Sequence, residues 1–327
     1  MKIQIMKTNL LPFLIFITLS FTFISTASAQ SCSFTLNNQA EVDNFDPSER
    51  YDECSLFGYS EYELIINGSD ITSLEGMPGY YWTELTNENT SLVDLKGLEF
   101  LTSTYTQTAN YSQPGIYIKN NPLLETLEGI ENLHTTANVV IQNNAILKNT
   151  NALNITTMKA YQDFWYGGGA AVVVTDNPRL TNIVGLSGLV HSSNISIVDN
   201  PSLIDISGLS NLRTVRVQTS PDGFAGDFII ENNDGLASLS NLGPIYIEEL
   251  LDISDNNALE NLSGMEVSPG YFEIENNENL TEFGDLSLTL HGNWFGFGYW
   301  KIINNPVLSS IALKDFKHTW YENTNVI

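Results

Sequence analysis

The sequence is poor in basic residues. Lysine and arginine together number 13 against 38 aspartates and glutamates, for a formal net charge of −25 at pH 7. Charged residues make up only 16% of the chain, below the roughly 25% of an average soluble domain. Binding to nucleic acid or to an anionic membrane surface needs a basic patch, so both classes are excluded. Two cysteines and four histidines are too few for a cysteine-rich zinc module. The histidines (His134, His191, His291 and His318) are scattered and form no H-E-x-x-H motif. There is no G-x-S-x-G nucleophile turn and no phosphate loop, and Gly167-Gly168-Gly169 precedes no helical pattern. Beyond the N terminus, no apolar run is long enough to span a bilayer. The chain is therefore read as a non-enzyme with no metal and no cofactor, inserted in no membrane. What it does have is 42% apolar residues over 327 positions, enough for a sizeable core.

The N terminus has the build of a secretion signal. Lys2 and Lys7 supply the positive start, Leu10 to Ile24 the apolar stretch, and Ala27-Ser28-Ala29 the small residues of a cleavage site. Removing residues 1–29 before Gln30 leaves 11 bases against 38 acids, a net charge of −27. In an oxidising compartment Cys32 and Cys54 pair. A loop of that length is stabilised by about 3 kcal/mol on the chain-entropy model. Ala29-Gln30-Ser31 before Cys32 lacks the residues of a lipoprotein signal. Seven Asn-x-Ser/Thr sites occur, Asn67, Asn110, Asn154 and Asn279 among them; whether they carry glycans depends on the host.

The strongest feature is self-similarity. One unit reads Ile116-Tyr117-Ile118-Lys119-Asn120-Asn121-Pro122-Leu123-Leu124, followed by Leu127, Gly129 and Ile130. Its schematic form, I-x-I-x-N-N-P-x-L-x-x-L-x-G-L, recurs along the chain. The second-asparagine slot is read as Gly68, Asn89, Asn121, Asn144, Asn177, Asn200, Asn233, Asn256, Asn277 and Asn305. The period is about 21–23 residues, lengthened by insertions of roughly ten in alternate copies, within the range of leucine-rich repeats.

Each triplet alternates with period two and predicts a short strand with both Ile pointing inward. Asn-Asn-Pro ends the strand, since Asn tolerates turn geometry and Pro blocks continuation. The later Leu positions turn inward, and Gly fits a corner. One copy cannot bury its apolar edge alone, whereas stacked copies bury a continuous core and form a parallel sheet. The Asn row is read as an internal ladder satisfying turn amides. A calcium ladder on Asp176, Asp199 and Asp255 is the alternative. It is disfavoured because hard cations prefer several carboxylates per site.

These repeats resemble the receptor L-domain and leucine-rich-repeat superfamily, of the type in exported surface proteins of Bacteroidota. The N-terminal stretch looks like that group's cap: Cys32, Asn38-Gln39-Ala40-Glu41-Val42-Asp43-Asn44-Phe45, Cys54 and Leu64-Ile65-Ile66-Asn67-Gly68. The resemblance covers about residues 32–312. It implies a right-handed β-solenoid of about ten turns with one long parallel sheet, used as a binding scaffold with no shared catalytic residues. The organisation expected is a signal peptide (1–29), a disulfide-closed cap (30–61), the solenoid (62–312) and a C-terminal tail or incomplete cap (313–327).

Two surfaces are candidates for ligand. The residue between the inward pair points outward, giving the row Leu64, Tyr117, Val140, Val173, Ser196, Ile229, Asp252, Glu273, Lys301. A solvated strand face is normally polar, so the Tyr117-Val140-Val173-Ile229 stripe is either a docking patch or covered by the insertions. The insertions are read as Thr102–Gln113, Thr156–Gly169, Arg213–Asp227 and Ser287–Tyr299. All precede a strand and are expected on one edge. They are rich in aromatics, including Trp165, Tyr166, Trp294 and Phe295, with Tyr80-Tyr81-Trp82 a further cluster. Loop aromatics anchor protein or sugar ligands, or else pack on the flank and shield it. The expectation is a secreted or cell-surface recognition or adhesion module for an extracellular protein or glycan. A carbohydrate-active solenoid enzyme needs only two facing carboxylates and is one alternative. A purely structural envelope protein is the other.

Overall fold

The computed structural model describes residues 32–56, 61–105, 114–159, 171–216, 226–291 and 298–318. The signal segment and its cleavage point lie outside them. The described residues form a 15-stranded parallel sheet, a second sheet of three short strands, and few helices. Consecutive repeats lie side by side in a solenoid-like stack, and the sheet does not close into a barrel.

The main row begins with Cys32–Leu36, pairs through Tyr62–Asn67, Glu84–Glu88, Gly115–Lys119 and Asn138–Gln142, and continues to Tyr299–Ile303. Register shows why the Ile-x-Ile triplets pair as they do. Phe34, Leu64, Leu85, Ile116, Val139 and Val172 face each other across the strands, as do Ile118, Ile141, Val174 and Ile197. All of these are buried, and most are fully so. A one-residue slip would turn every one of them to solvent. Loop residues Leu124, Leu127 and Ile130 close the same core from the other side. Each full burial is worth roughly 1.5–3 kcal/mol.

From Gly115–Lys119 onward, a second row of strands lies before the main one. Ser103–Thr104, Thr135–Thr136 and Thr157–Met158 make the three-stranded sheet. His191–Ser192, Thr214–Val215, Ser287–Leu290 and Asp315–His318 continue the row in the larger sheet. Ile245–Ser254 and Glu266–Glu275 run through both rows, with an irregularity between Ile247 and Leu250. This corrects the insertions: their first residues are strands of the second row, three of them only two residues long and too short to leave a periodic signal. Residues 315–318, expected in a tail, also pair as a strand.

The asparagine ladder is present. The backbone N–H of Asn121 donates to Asn144 Oδ1, that of Asn144 to Asn177, and so on through Asn200, Asn233, Asn256 and Asn277 to Asn305. Each Nδ2 also donates to a strand carbonyl of the preceding repeat, as Asn200 does to Val174 O at 2.9 Å. These buried side chains satisfy turn groups that water does not reach. The residue before each ladder position takes the left-handed conformation: Asn120, Asn143, Asp176, Asp199, Asn232, Asp255, Asn276 and Asn304 all have φ between 53° and 58°. Those aspartates are therefore turn residues, chosen because Asp and Asn tolerate this geometry. Register also moves two slots. Asn89 has φ 55° and aligns with Asn120, so Thr90 holds the ladder position, donating its N–H and hydroxyl to Asn121 Oδ1. Gly68 follows Asn67, which pairs with Glu88, so it aligns with Asn89.

The corner glycines have two causes. Gly129 has φ +112°. Gly208 has no such dihedral, but a Cβ there would lie 1.9 Å from Ile183 O of the preceding repeat.

The N-terminal end is closed by helices Gln39–Asp43 and Ser48–Leu56. Asn38 caps the first, accepting from the Glu41 N–H at 3.0 Å, while Glu41 accepts from the Asn37 N–H at 2.7 Å. The arrangement resembles a capping box, with Glu41 reaching the N–H of the residue before the cap instead of that of Asn38. The Cys32–Cys54 disulfide ties the first strand to the second helix. Beneath it Trp82 is fully buried, its ring 5.2 Å from Phe34 and edge-on to it. Among the described residues no helix is long and apolar enough to cross a membrane.

Candidate recognition surface

The outward row of the main sheet follows from register: Ile65, Thr86, Tyr117, Val140, Val173, Ser196, Ile229, Asp252, Glu273 and Lys301. Leu64 does not belong to it. It is fully buried, and Ile65 takes its place. Tyr117, Val140, Val173 and Ile229 are brought together as expected, each half-buried between neighbours on the pleated face. From Tyr117 to Ile229 the patch crosses four strand spacings, about 19 Å at ~4.8 Å each.

Acidic residues bound this apolar centre on both sides. Toward the N terminus Glu63 and Glu84 are register partners. Burial, and then the neighbouring Glu63 carboxylate, push Glu84 up to about 7, against the pull of Lys119. The Lys119 ammonium lies 5.3 Å from the centre of the Tyr117 ring. Burial holds the Tyr117 phenol well above its ordinary value. Toward the C terminus Asp252, Glu273 and Glu275 gather. Burial is the main cause that raises Asp252 to about 6, with Glu273, Glu231 and Glu275 adding to it. Lys301 answers them, pairing with Glu273 at 3.4 Å and with Glu275. An apolar centre with a charged rim is the anatomy of a protein interface.

In sequence, the undescribed part of each insertion falls between a strand of the second row and the next strand of the main row. Their described flanks are 105 and 114, 159 and 171, 216 and 226, and 291 and 298. Trp165, Tyr166, Trp294 and Phe295 lie outside the described residues. The Tyr80-Tyr81-Trp82 cluster belongs to the N-terminal packing. The Tyr80 ring lies 5.0 Å from that of Tyr51 at a tilt of 51°, and the Tyr81 hydroxyl donates to Tyr105 O.

The second row carries a feature that sequence reading missed. Tyr246, Ser268, Thr289 and Lys317 line one groove with Arg213, Glu266, Ser287 and Asp315, with a cavity volume of about 330 Å³. The signal was present in Ile245-Tyr246-Ile247, whose alternation marks a strand with an outward tyrosine. Among the described residues no cluster of three or more His, Cys, Asp or Glu side chains is arranged to hold a metal ion.

Comparisons with protein families, curated proteins and solved structures found no match to this chain.

Proposed function

We propose that this chain is an exported recognition or adhesion module, a right-handed leucine-rich-repeat solenoid of receptor L-domain type with about ten turns. It binds an extracellular protein or glycan and performs no catalysis. The observation that carries this reading is the outward stripe: Tyr117, Val140, Val173 and Ile229 aligned on one sheet face between two acidic margins. An apolar row of this length on a solvated strand face is expected to have a partner. The Cys32–Cys54 disulfide supports secretion or surface display, because such bonds persist in oxidising compartments.

The test is binding of the purified mature chain to glycans and to surface extracts, beside a variant carrying Tyr117→Glu, Val173→Glu and Ile229→Glu. Loss of signal in the folded variant places the site on the stripe. Retention moves it to the aromatic insertions or the second strand row. No signal from either overturns recognition.

One observation favours a second reading, a carbohydrate-active enzyme. Burial and the neighbouring Glu63 push Glu84 up to about 7, a value suited to the general acid of a glycoside-cleaving carboxylate pair. Polysaccharide hydrolysis that Glu84→Gln abolishes would establish it.

A further inference from the structure

The groove on the second strand row has a chemistry of its own. Its floor and walls follow from register. Tyr246 pairs with Ser268, Val267 with Leu288, and Thr289 with Lys317. The outward order is therefore tyrosine, serine, threonine, lysine. Two small side chains between two large ones leave a trough, and the outer strands stand about 14 Å apart at ~4.8 Å per spacing. The inward neighbours Ile245, Val267 and Leu288 are buried beneath.

We propose that this trough binds a saccharide, with a pyranose ring packed against Tyr246. The proposal rests on the recognition reading above and adds to it a second site and a ligand class.

Three observations support it. First, the aromatic platform is rigid. The Tyr246 ring stacks on His291 at 4.7 Å between centres and 11° between planes. His291 is itself buried and held by Nε2, which lies 2.9 Å from Ile247 O and 3.1 Å from Ser268 O and so donates to both. A fixed ring loses little freedom when a ligand meets it. Second, the polar groups around it are short and mixed. Ser268 and Thr289 each offer a hydroxyl that both donates and accepts, while Asp315 accepts and Lys317 donates. A sugar presents an apolar C–H face with hydroxyls around its edge, and an aromatic platform edged by such groups matches both. Third, competing ligands fit poorly. A peptide anchor needs an apolar socket, and of the apolar residues along this lining Ile245, Val267 and Leu288 are almost wholly buried, leaving Pro244 as the exposed one. A polyanion such as nucleic acid meets a chain of net charge −25.

The experiment is a glycan array of neutral and uronic-acid oligosaccharides probed with the whole mature chain. Titration calorimetry with the best-bound oligosaccharide follows. Tyr246→Ala is expected to weaken binding about tenfold, the loss typical of an aromatic anchor. Thr289→Trp fills the trough from the solvent side and is expected to abolish binding. It leaves the buried rows untouched, so it decides the matter even if Tyr246→Ala loosens the sheet. Val173→Glu, on the other face, is expected to bind the oligosaccharide like the parent. Affinity unchanged in both trough variants would overturn the proposal, as would an array without binding. A partner lost only by Val173→Glu would leave the recognition reading standing while the trough proposal falls.

Discussion

Replacing Asn200 by alanine tests the ladder that holds neighbouring repeats in register. Asn200 is fully buried. Its Nδ2 donates to Val174 O and Val198 O, both at 2.9 Å, and to Asn233 Oδ1 at 3.3 Å. Its Oδ1 accepts from the Asn177 backbone N–H at 3.2 Å and from Asn177 Nδ2 at 3.2 Å. Asn177 Nδ2 keeps two carbonyl partners, Ile141 O and Thr175 O. Its backbone N–H loses the acceptor it had. An orphaned buried donor costs about 1–3 kcal/mol, and each lost hydrogen bond about 1 kcal/mol. The total is about 3–5 kcal/mol. Asn305, half-buried near the C-terminal end, makes the equivalent bonds to Ile274 O and Ile303 O. Water reaches that end more easily, so Asn305→Ala is expected to cost only about 1–2 kcal/mol. Urea denaturation followed by far-ultraviolet circular dichroism measures both. A loss below about 1 kcal/mol for Asn200→Ala would refute the reasoning, as would equal losses at the two sites.

Gly208→Ala is expected to cost more than about 3 kcal/mol because its Cβ would collide with Ile183 O. Gly76→Ala, with open space around it and φ +86°, should lose about 1 kcal/mol; thermal melts compare them. Removing the disulfide with Cys32→Ser and Cys54→Ser should cost about 3 kcal/mol, read as a lower denaturation midpoint relative to the oxidised parent. Glu84 supplies a pH dependence. Its folded value of about 7 lies above the ordinary 4.5, so the folded chain retains a proton that the unfolded chain releases. That contribution is complete below about pH 4.5 and is lost as pH rises toward 7. Glu84→Gln should flatten this fall and raise the melting temperature at pH 8 but not at pH 4.

Much of the fold is legible in the sequence, because a repeat states its own register many times. Ile116-x-Ile118 and Val172-x-Val174 predict inward pairs, and the asparagines mark where each strand ends. Divergent copies blur this. Leu64-Ile65-Ile66 offers three apolar residues for two inward positions, and only pairing with Leu85 and Asn87 shows that Ile65 faces out. Asn89 looks like a ladder residue because its successor, Thr90, does the ladder's work with a hydroxyl. The second strand row was hidden for another reason. Thr104 and Thr136 lie on two-residue strands with no room for a period, and their pairing depends on repeats about 30 residues apart. The trough was hidden with them, since Tyr246 and Lys317 come to line one groove only through strand pairing across three spacings.

The central claim is that an outward strand face of this sheet recognises a ligand. Hydroxyl-radical footprinting of the mature chain, free and saturated with the glycan or surface component that it binds, tests this directly. The account predicts protection at Tyr117 and Val140 on the main face, or at Tyr246 in the trough. Protection confined to exposed loop-side residues such as Leu123 and Ile204, with these faces unchanged, would contradict it.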